Sequence, residues 1–375
     1  MSIVKFSEVA HRAYTREDRF NTEKIYYVGG EHIDSCELYV TKKGVIKGST
    51  IGPMFYCGFT AGQILFVTRN PHLKKCSIAD FDGICSEKTF VIETKDESIL
   101  TQEYLAIIMQ SDDFWNYCEE NKSGGVNYFL NWSTLADYEF ELPPIKQQLE
   151  IAQKVMSAYR LKQSYKKLLD ATREMVKSQF IEMVGDPRNN PKGWPTKRLS
   201  ELAEYSIGLT YKPEQICDDG TIVLRSGNIQ DGKISFSDIV RVNAPIKESL
   251  FVKEDDILMC SRNGSASLVG KVAMIPDINE PMTFGAFMTI IRSAEAKYLY
   301  LYFQSQDFRE RVSEGKSSTM NQITQKMLDK VEVPFPDKDV RETLSAIASQ
   351  ADKSKFELKQ CIEHIDKVIK SLING

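Results

Sequence analysis

The longest regular pattern of apolar and polar positions lies near the C-terminal end. Leu344, Ile347, Ala351, Ser354, Leu358, Cys361, Ile365, Val368 and Leu372 are apolar or small, and the steps between them alternate three and four. This is the a/d spacing of a coiled-coil seam, narrower than the apolar face of an ordinary core helix. Counted back 193 positions, the same frame falls on Ile151, Lys154, Ala158, Leu161, Tyr165, Leu168, Thr172, Met175 and Gln179, more polar but in step. The spacing predicts long helices over 144–184 and 337–373. About 35 residues at 1.5 Å each make a rod of roughly 50 Å. Two matching helices in one chain pair most simply with each other, and an antiparallel pair would put whatever precedes each helix at opposite ends. The competing reading packs each helix on its own domain.

Ahead of each helix the period shortens. Lys24–Val28, Gln63–Val67 and Thr89–Glu93 read as strands, as do Ile222–Leu224, Asp256–Cys260 and Thr289–Arg292, with turn-forming Gly, Asn, Asp and Pro between them. A helix is predicted over Gln102–Glu120 and again over Lys297–Glu314. Exit strands then end in proline, at Glu139–Pro144 and Glu332–Pro336. The two halves also repeat in detail. Lys5–Ala10 returns as Arg198–Ala203 and Ile64–Asn70 as Ile257–Asn263, both 193 positions later. A period this long is a duplicated domain rather than a solenoid. The fold class expected is α+β, with two similar β-rich domains (1–143 and 197–336), each followed by a long helix, and a Pro/Gly-rich linker over 185–196.

Composition narrows the class. The chain has 375 residues, 42% hydrophobic and 27% charged, ordinary for a folded protein with two cores. No apolar run approaches the ~18 residues that span a bilayer, and the N-terminus does not read as a signal peptide, so a cytoplasmic protein is expected. Eight cysteines include no C-x-x-C pair, and four histidines are scattered, so reduced thiols and no metal site are expected. The net charge of −4 runs against the basic balance usual for nucleic-acid binding.

Catalytic signatures are absent: there is no G-x-G-x-x-G, P-loop, H-E-x-x-H or G-x-S-x-G. Polar loops recur instead. The first, Thr68–Lys75, is matched by Ser261–Ser267 and offers Arg69, Asn70, Lys74 and Lys75, then Arg262, Asn263 and Ser265. Arginine can grip guanine O6/N7 or a phosphate, and asparagine can pair with adenine. The alternative is a solvated surface turn. The second, Lys122–Tyr128, offers Ser123, Asn127 and Tyr128; its copy Lys316–Gln322 offers Ser317, Ser318, Thr319, Asn321 and Gln322. Small hydroxyl and glycine residues let backbone N–H groups approach phosphates, although such residues also cap helices. The third, Val28–Ile33, is matched by Leu224–Ile229 with Arg225 and Asn228. The first long helix is basic, with eight Lys/Arg against four Asp/Glu, a net of +4.

Together these features resemble the specificity subunit of type I restriction–modification systems (HsdS-like, with two target-recognition domains). The most specific parts are Leu142-Pro143-Pro144-Ile145-Lys146-Gln147-Gln148-Leu149-Glu150-Ile151, the junction Ser178–Pro187 running into Asn190–Trp194, and Trp194–Leu202. The second exit, Phe335–Asp339, lacks the Gln147-Gln148 equivalent. The resemblance implies a prokaryotic, non-catalytic subunit. Each β-rich domain would read half of a split double-stranded DNA target, and the paired helices would fix the unread spacer. It implies two methyltransferase subunits that methylate adenine with S-adenosylmethionine, and motor–nuclease subunits that use ATP and Mg²⁺; this chain would bind none of those cofactors. Gln147, Gln148, Glu150, Arg160 and Lys167 would face the partners. A coiled-coil scaffold without DNA readout is the alternative function.

Overall fold

The computed structural model describes residues 2–314 and 321–375. The chain divides into two compact units, Met1–Leu168 with Leu358–Gly375, and Leu169–Glu357. Each long helix therefore contributes to both.

In the first unit Ala10–Ala13, Thr89–Thr94, Ile64–Val67 and Cys76–Ile78 form a four-stranded antiparallel sheet in that order. A second sheet runs Thr15–Arg16, Phe55–Phe59, Gly83–Ser86, Tyr26–Val28, Gly44–Val45, with Tyr26–Val28 parallel to Gly83–Ser86. The strand Ile64–Val67 explains the layering. All four of its residues are buried. Ile64 and Phe66 enter a core with Leu105, Phe114 and Trp115, while Leu65 and Val67 enter another with Val28, Phe59 and Cys85. Successive side chains leave a strand on opposite faces, so a strand between two cores reads as continuously apolar.

The second unit repeats this arrangement. Glu204–Ile207, Met288–Arg292, Ile257–Cys260 and Val272–Met274 are adjacent in the same order, extended by Lys233–Ile234 and Ile229–Gln230. Val240–Val242, Ile216–Leu224 and Met282–Phe284 make a three-stranded sheet. Ile257 and Met259 pack with Leu299 and Phe308, and Leu258 and Cys260 pack with Leu224 and Phe284. Each unit also closes with a two-stranded ladder that leads into a long helix: Ser2–Lys5 on Glu139–Leu142, and Thr196–Arg198 on Glu332–Pro334.

The single helices expected over Gln102–Glu120 and Lys297–Glu314 are each two. Gln102–Ile108 is followed by Asp112–Glu120, and Ala296–Phe303 by Gln306–Glu314. A serine restarts the helix in both copies. Ser111 Oγ accepts from the Phe114 N–H at 3.2 Å and Ser305 Oγ from the Phe308 N–H at 3.3 Å. An N-cap serine satisfies a donor that a continuous helix would bond to its own carbonyl.

The long helices are Ile145–Val184 and Lys338–Asn374, 40 and 37 residues. The first stops at Gly185, whose φ of 86° is left-handed and whose N–H bonds the Ile181 carbonyl at 2.8 Å. The helices pair antiparallel. In the first unit Ala152, Val155 and Tyr159 share a core with Ile369, Leu372 and Ile373 from the end of the second helix. In the second unit Val176, Phe180 and Val184 share one with Val340, Leu344 and Ala348.

In the first helix the seam differs from the predicted frame at every second position, and in the second at Cys361 and Val368. Leu161, Leu168, Met175 and Val368 are exposed, as are Lys154 and Cys361; Val155, Lys162 and Leu169 are buried instead. In the first helix the frame carried back from the second falls one position early at these places, and the buried register it misses includes a lysine. Lys162 is 8% exposed. Its ammonium lies 3.2 Å from Glu37 and 2.7 Å from Asp366 of the second helix. Glu37 also receives Lys166 at 2.8 Å and the Tyr159 hydroxyl at 2.8 Å. Burial alone would raise the Glu37 pKa, but these cations and the phenol more than offset it and hold the carboxyl below its usual range.

The second exit is also resolved by geometry. Gln148 is fully buried; its amide donates to the Ile99 and Pro143 carbonyls and accepts from the Thr101 N–H. Arg341 stands 193 positions on. It donates to the Pro336 carbonyl, the repeat of Pro143, and pairs with Glu295 at 2.8 Å. Thr101 and Glu295 are both helix N-caps. The missing glutamine is thus replaced by an arginine making the same tie. All eight cysteines are free thiols. Among the described residues no His/Cys/Asp/Glu group could hold a metal ion, and no helix is long and apolar enough to cross a membrane.

Candidate nucleic-acid interface

In the first unit the strand Ile64–Val67 delivers Thr68 and Arg69 to a cluster of loops. Thr68 donates from both its N–H and its hydroxyl to the Lys88 carbonyl, each at 2.9 Å. Its own carbonyl accepts from the Leu130 N–H at 3.0 Å, and the Asn70 N–H donates to the Tyr128 carbonyl at 3.0 Å. Ser123 and Phe129 exchange two backbone bonds, 2.8 and 2.9 Å. Gly124 inside that hairpin has φ 97°, and a Cβ there would come within 2.6 Å of the Asn127 carbonyl, so glycine is required. The first and second polar loops, more than fifty positions apart, are thereby joined. Arg69 bridges to Phe129 and its guanidinium lies 5.4 Å from that ring. The third loop joins through Lys75, whose ammonium is bonded to the Gly30 carbonyl. Arg69 and Asn127 are exposed, while Ser123 and Tyr128 are half-buried. Asn70 and Lys74 hold left-handed backbone around the turn Pro71–Leu73, and Lys74 pairs with Asp112 at 3.5 Å.

The second unit builds the same junction. The N–H groups of Ser261 and Arg262 and the Ser261 hydroxyl all donate to the Phe287 carbonyl at 3.0 Å. Ile323 N–H donates to the Ser261 carbonyl at 2.7 Å, Arg262 bridges to Gln322, and Asn263 N–H reaches the Asn321 carbonyl at 3.3 Å. The Asn321 amide returns to the Gly264 carbonyl at 3.1 Å. Asn263 ties in the third loop by donating to the Ser226 hydroxyl at 3.1 Å, and its oxygen accepts from the Ser265 N–H at 2.9 Å. The Arg262 guanidinium lies 5.7 Å from the Phe287 ring. Ser317, Ser318 and Thr319 lie outside the described residues.

Two expected contacts are corrected. Asn228 is 1% exposed; its amide donates to the Ser235 and Asp238 carbonyls and accepts from the Arg225 N–H. It builds the turn rather than facing a ligand. Gln148 is the internal tie described above and cannot meet a partner, whereas Gln147, Glu150, Arg160 and Lys167 are exposed. Arg225 pairs with Asp238 at 3.1 Å beside a recess of about 610 Å³, walled also by Leu209, Tyr211, Arg262 and Phe287.

Sequence reasoning missed the aromatic partners. Phe129 and Phe287 lie outside the quoted loops, and only the fold places a ring against each arginine. It also missed Val126, 95% exposed at the tip of the glycine hairpin. Each cluster offers a cation set on an aromatic face, with amides and hydroxyls around it. That mixture can meet phosphates, base edges and apolar base surfaces.

Comparison with known proteins bears on the family and the fold. Residues 191–366 match the type I restriction modification DNA specificity domain. The specificity subunit of the type I restriction enzyme StySPI from Salmonella potsdam is 31% identical over 183 residues, covering 45% of this chain and 39% of that protein, so the match spans less than half of the relative's length. The MjaVIII specificity subunit from Methanocaldococcus jannaschii is 20% identical over 92% of this chain and 83% of its own. In fold, the crystal structure of a type I restriction–modification system S subunit from M. genitalium superposes with a TM-score of 0.58 over 99% of this chain and 94% of that one, at 13% identity. Residues 191–366 are thus similar to the type I restriction modification DNA specificity domain, and along its whole length the chain is similar to type I specificity subunits, in sequence to MjaVIII and in fold to the M. genitalium S subunit.

Proposed function

We propose that this chain reads a bipartite double-stranded DNA target and directs partner subunits to it. Each loop cluster takes one half-site, and the antiparallel helices set the unread spacer. The exposed polar positions Gln147, Glu150, Arg160 and Lys167 on the first helix dock methyltransferase subunits, two per chain, which methylate adenine with S-adenosylmethionine. Motor–nuclease subunits using ATP and Mg²⁺ complete a restriction enzyme. The chain itself is non-catalytic and binds none of these cofactors. Much of the phosphate contact comes from the methyltransferases, which reconciles DNA binding with a net charge of −4.

The observation that carries this reading is the repeated junction. The same three polar loops meet in both units around an arginine set on an aromatic ring. A scaffold has no use for two copies of such a surface. Co-expression with the partner methyltransferase, followed by single-molecule sequencing of methylated adenine, tests it. One motif with two specified halves and a fixed gap is expected; continuous motifs, or no methylation, would refute it.

A further inference from the structure

The two units hold one equivalent residue in the same backbone clamp but give it different side chains. Thr89 faces Val67, and Met288 faces Cys260, which stands 193 positions after Val67. The residues just before them, Lys88 and Phe287, are therefore structural counterparts, although 199 positions separate them. Each carbonyl receives both the N–H and the hydroxyl of the residue that precedes the loop arginine. Thr68 binds Lys88 with two bonds of 2.9 Å, and Ser261 binds Phe287 with two of 3.0 Å. The backbone is pinned, yet the side chains point outward. Phe287 is 58% exposed, and the Lys88 side chain is 47% exposed.

We propose that Lys88 and Phe287 are matched specificity-determining positions, one for each half-site. This rests on the DNA-reading function proposed above. The ring lies 5.7 Å from the Arg262 guanidinium, and the surface it leaves exposed is apolar area that a ligand can cover. Phe287 borders the recess with Tyr211, Arg225 and Arg262, so its cover arrives together with polar contacts. The apolar feature on a base edge in the major groove is the thymine methyl, and Phe287 meets it. At the first unit the same place offers an ammonium, held by Glu87 at 2.5 Å, which suits the guanine O6 and N7 acceptors. One scaffold position with two chemistries is what reading two different half-sites requires, whereas Arg69 and Arg262 recur unchanged.

The test uses the full chain with its partner methyltransferase, and methylated-adenine sequencing as the readout. Phe287→Ala relaxes one position of the second half-site, with the preference for thymine falling roughly tenfold, and leaves the first half-site intact. Lys88→Ala relaxes one position of the first half-site only. Phe287→Lys changes the base preferred at the position that Phe287→Ala relaxes. An unaltered motif in both alanine variants overturns the proposal while leaving the bipartite function standing. If Phe287→Ala abolishes methylation, Phe287→Leu and Phe287→Tyr decide. Methylation restored with the motif relaxed at one position of the second half-site in either variant supports the assignment; methylation restored by neither, or restored with the motif unaltered in every variant that restores it, overturns it. Failure of the wild-type chain to give a bipartite motif sinks the function itself instead.

Discussion

Replacing Lys162 by Ala isolates the buried charge in the helix seam. Its ammonium joins Glu37 of the first β-rich domain, at 3.2 Å, to Asp366 of the second helix, at 2.7 Å. Breaking a buried ion pair costs about 3–5 kcal/mol when the remaining charge has no other partner. Here Glu37 keeps Lys166 and the Tyr159 hydroxyl, and Asp366 is 48% exposed and can take up water. The expected loss is therefore smaller, about 2 kcal/mol. Lys162→Met keeps the packed stem and should lose about half as much. Hydrogen exchange of the Ile64–Val67 amides reports the first unit directly. A loss of about 2 kcal/mol speeds their exchange roughly thirtyfold where it proceeds by opening of the unit. Exchange within twofold of wild type in Lys162→Ala would refute the argument that this lysine ties the unit together. The cluster also gives the first unit an acid limb. Glu37 is depressed in the folded chain, so its contribution is present above the unfolded carboxyl pKa and is lost as pH falls through the folded one. Glu37→Gln should flatten that limb.

Gln148→Ala strands the Thr101 N–H and the Ile99 and Pro143 carbonyls and should cost about 2 kcal/mol in a urea melt; a change below about 0.5 kcal/mol would show that water replaces the amide. Inserting seven residues into each long helix, in register, should lengthen the unread gap of the methylated motif by about three base pairs, since seven residues rise roughly 10 Å and a base pair roughly 3.4 Å. An unchanged gap would remove the helices' role as a spacer.

Much of the fold was legible because duplication supplied an internal control. The strands Ile64–Val67 and Ile257–Cys260 stood out as apolar runs, and the structure places each between two cores. Proline exits and Gly185 marked the helix ends, as their missing donors and left-handed backbone dictate. Several errors arise because a polar residue can be buried once its bonds are satisfied by backbone groups or by partners distant in sequence. Lys162 occupies the seam because Glu37 and Asp366 lie 125 and 204 positions away, and no local count reveals that. Asn228 and Gln148 looked like ligand-facing amides and instead bond backbone carbonyls. The recurring loops were visible as motifs, but their meeting depends on strand pairing, so Phe129 and Phe287 became visible only once the loops were assembled.

DNA affinity of the Arg69→Ala, Arg262→Ala double variant, measured with the partner methyltransferase at fixed salt, tests the central claim most directly. Loss of a base or phosphate grip at both loop clusters should weaken specific binding at least tenfold, by about 1–3 kcal/mol for each arginine. Binding within twofold of wild type would mean that these clusters do not read DNA.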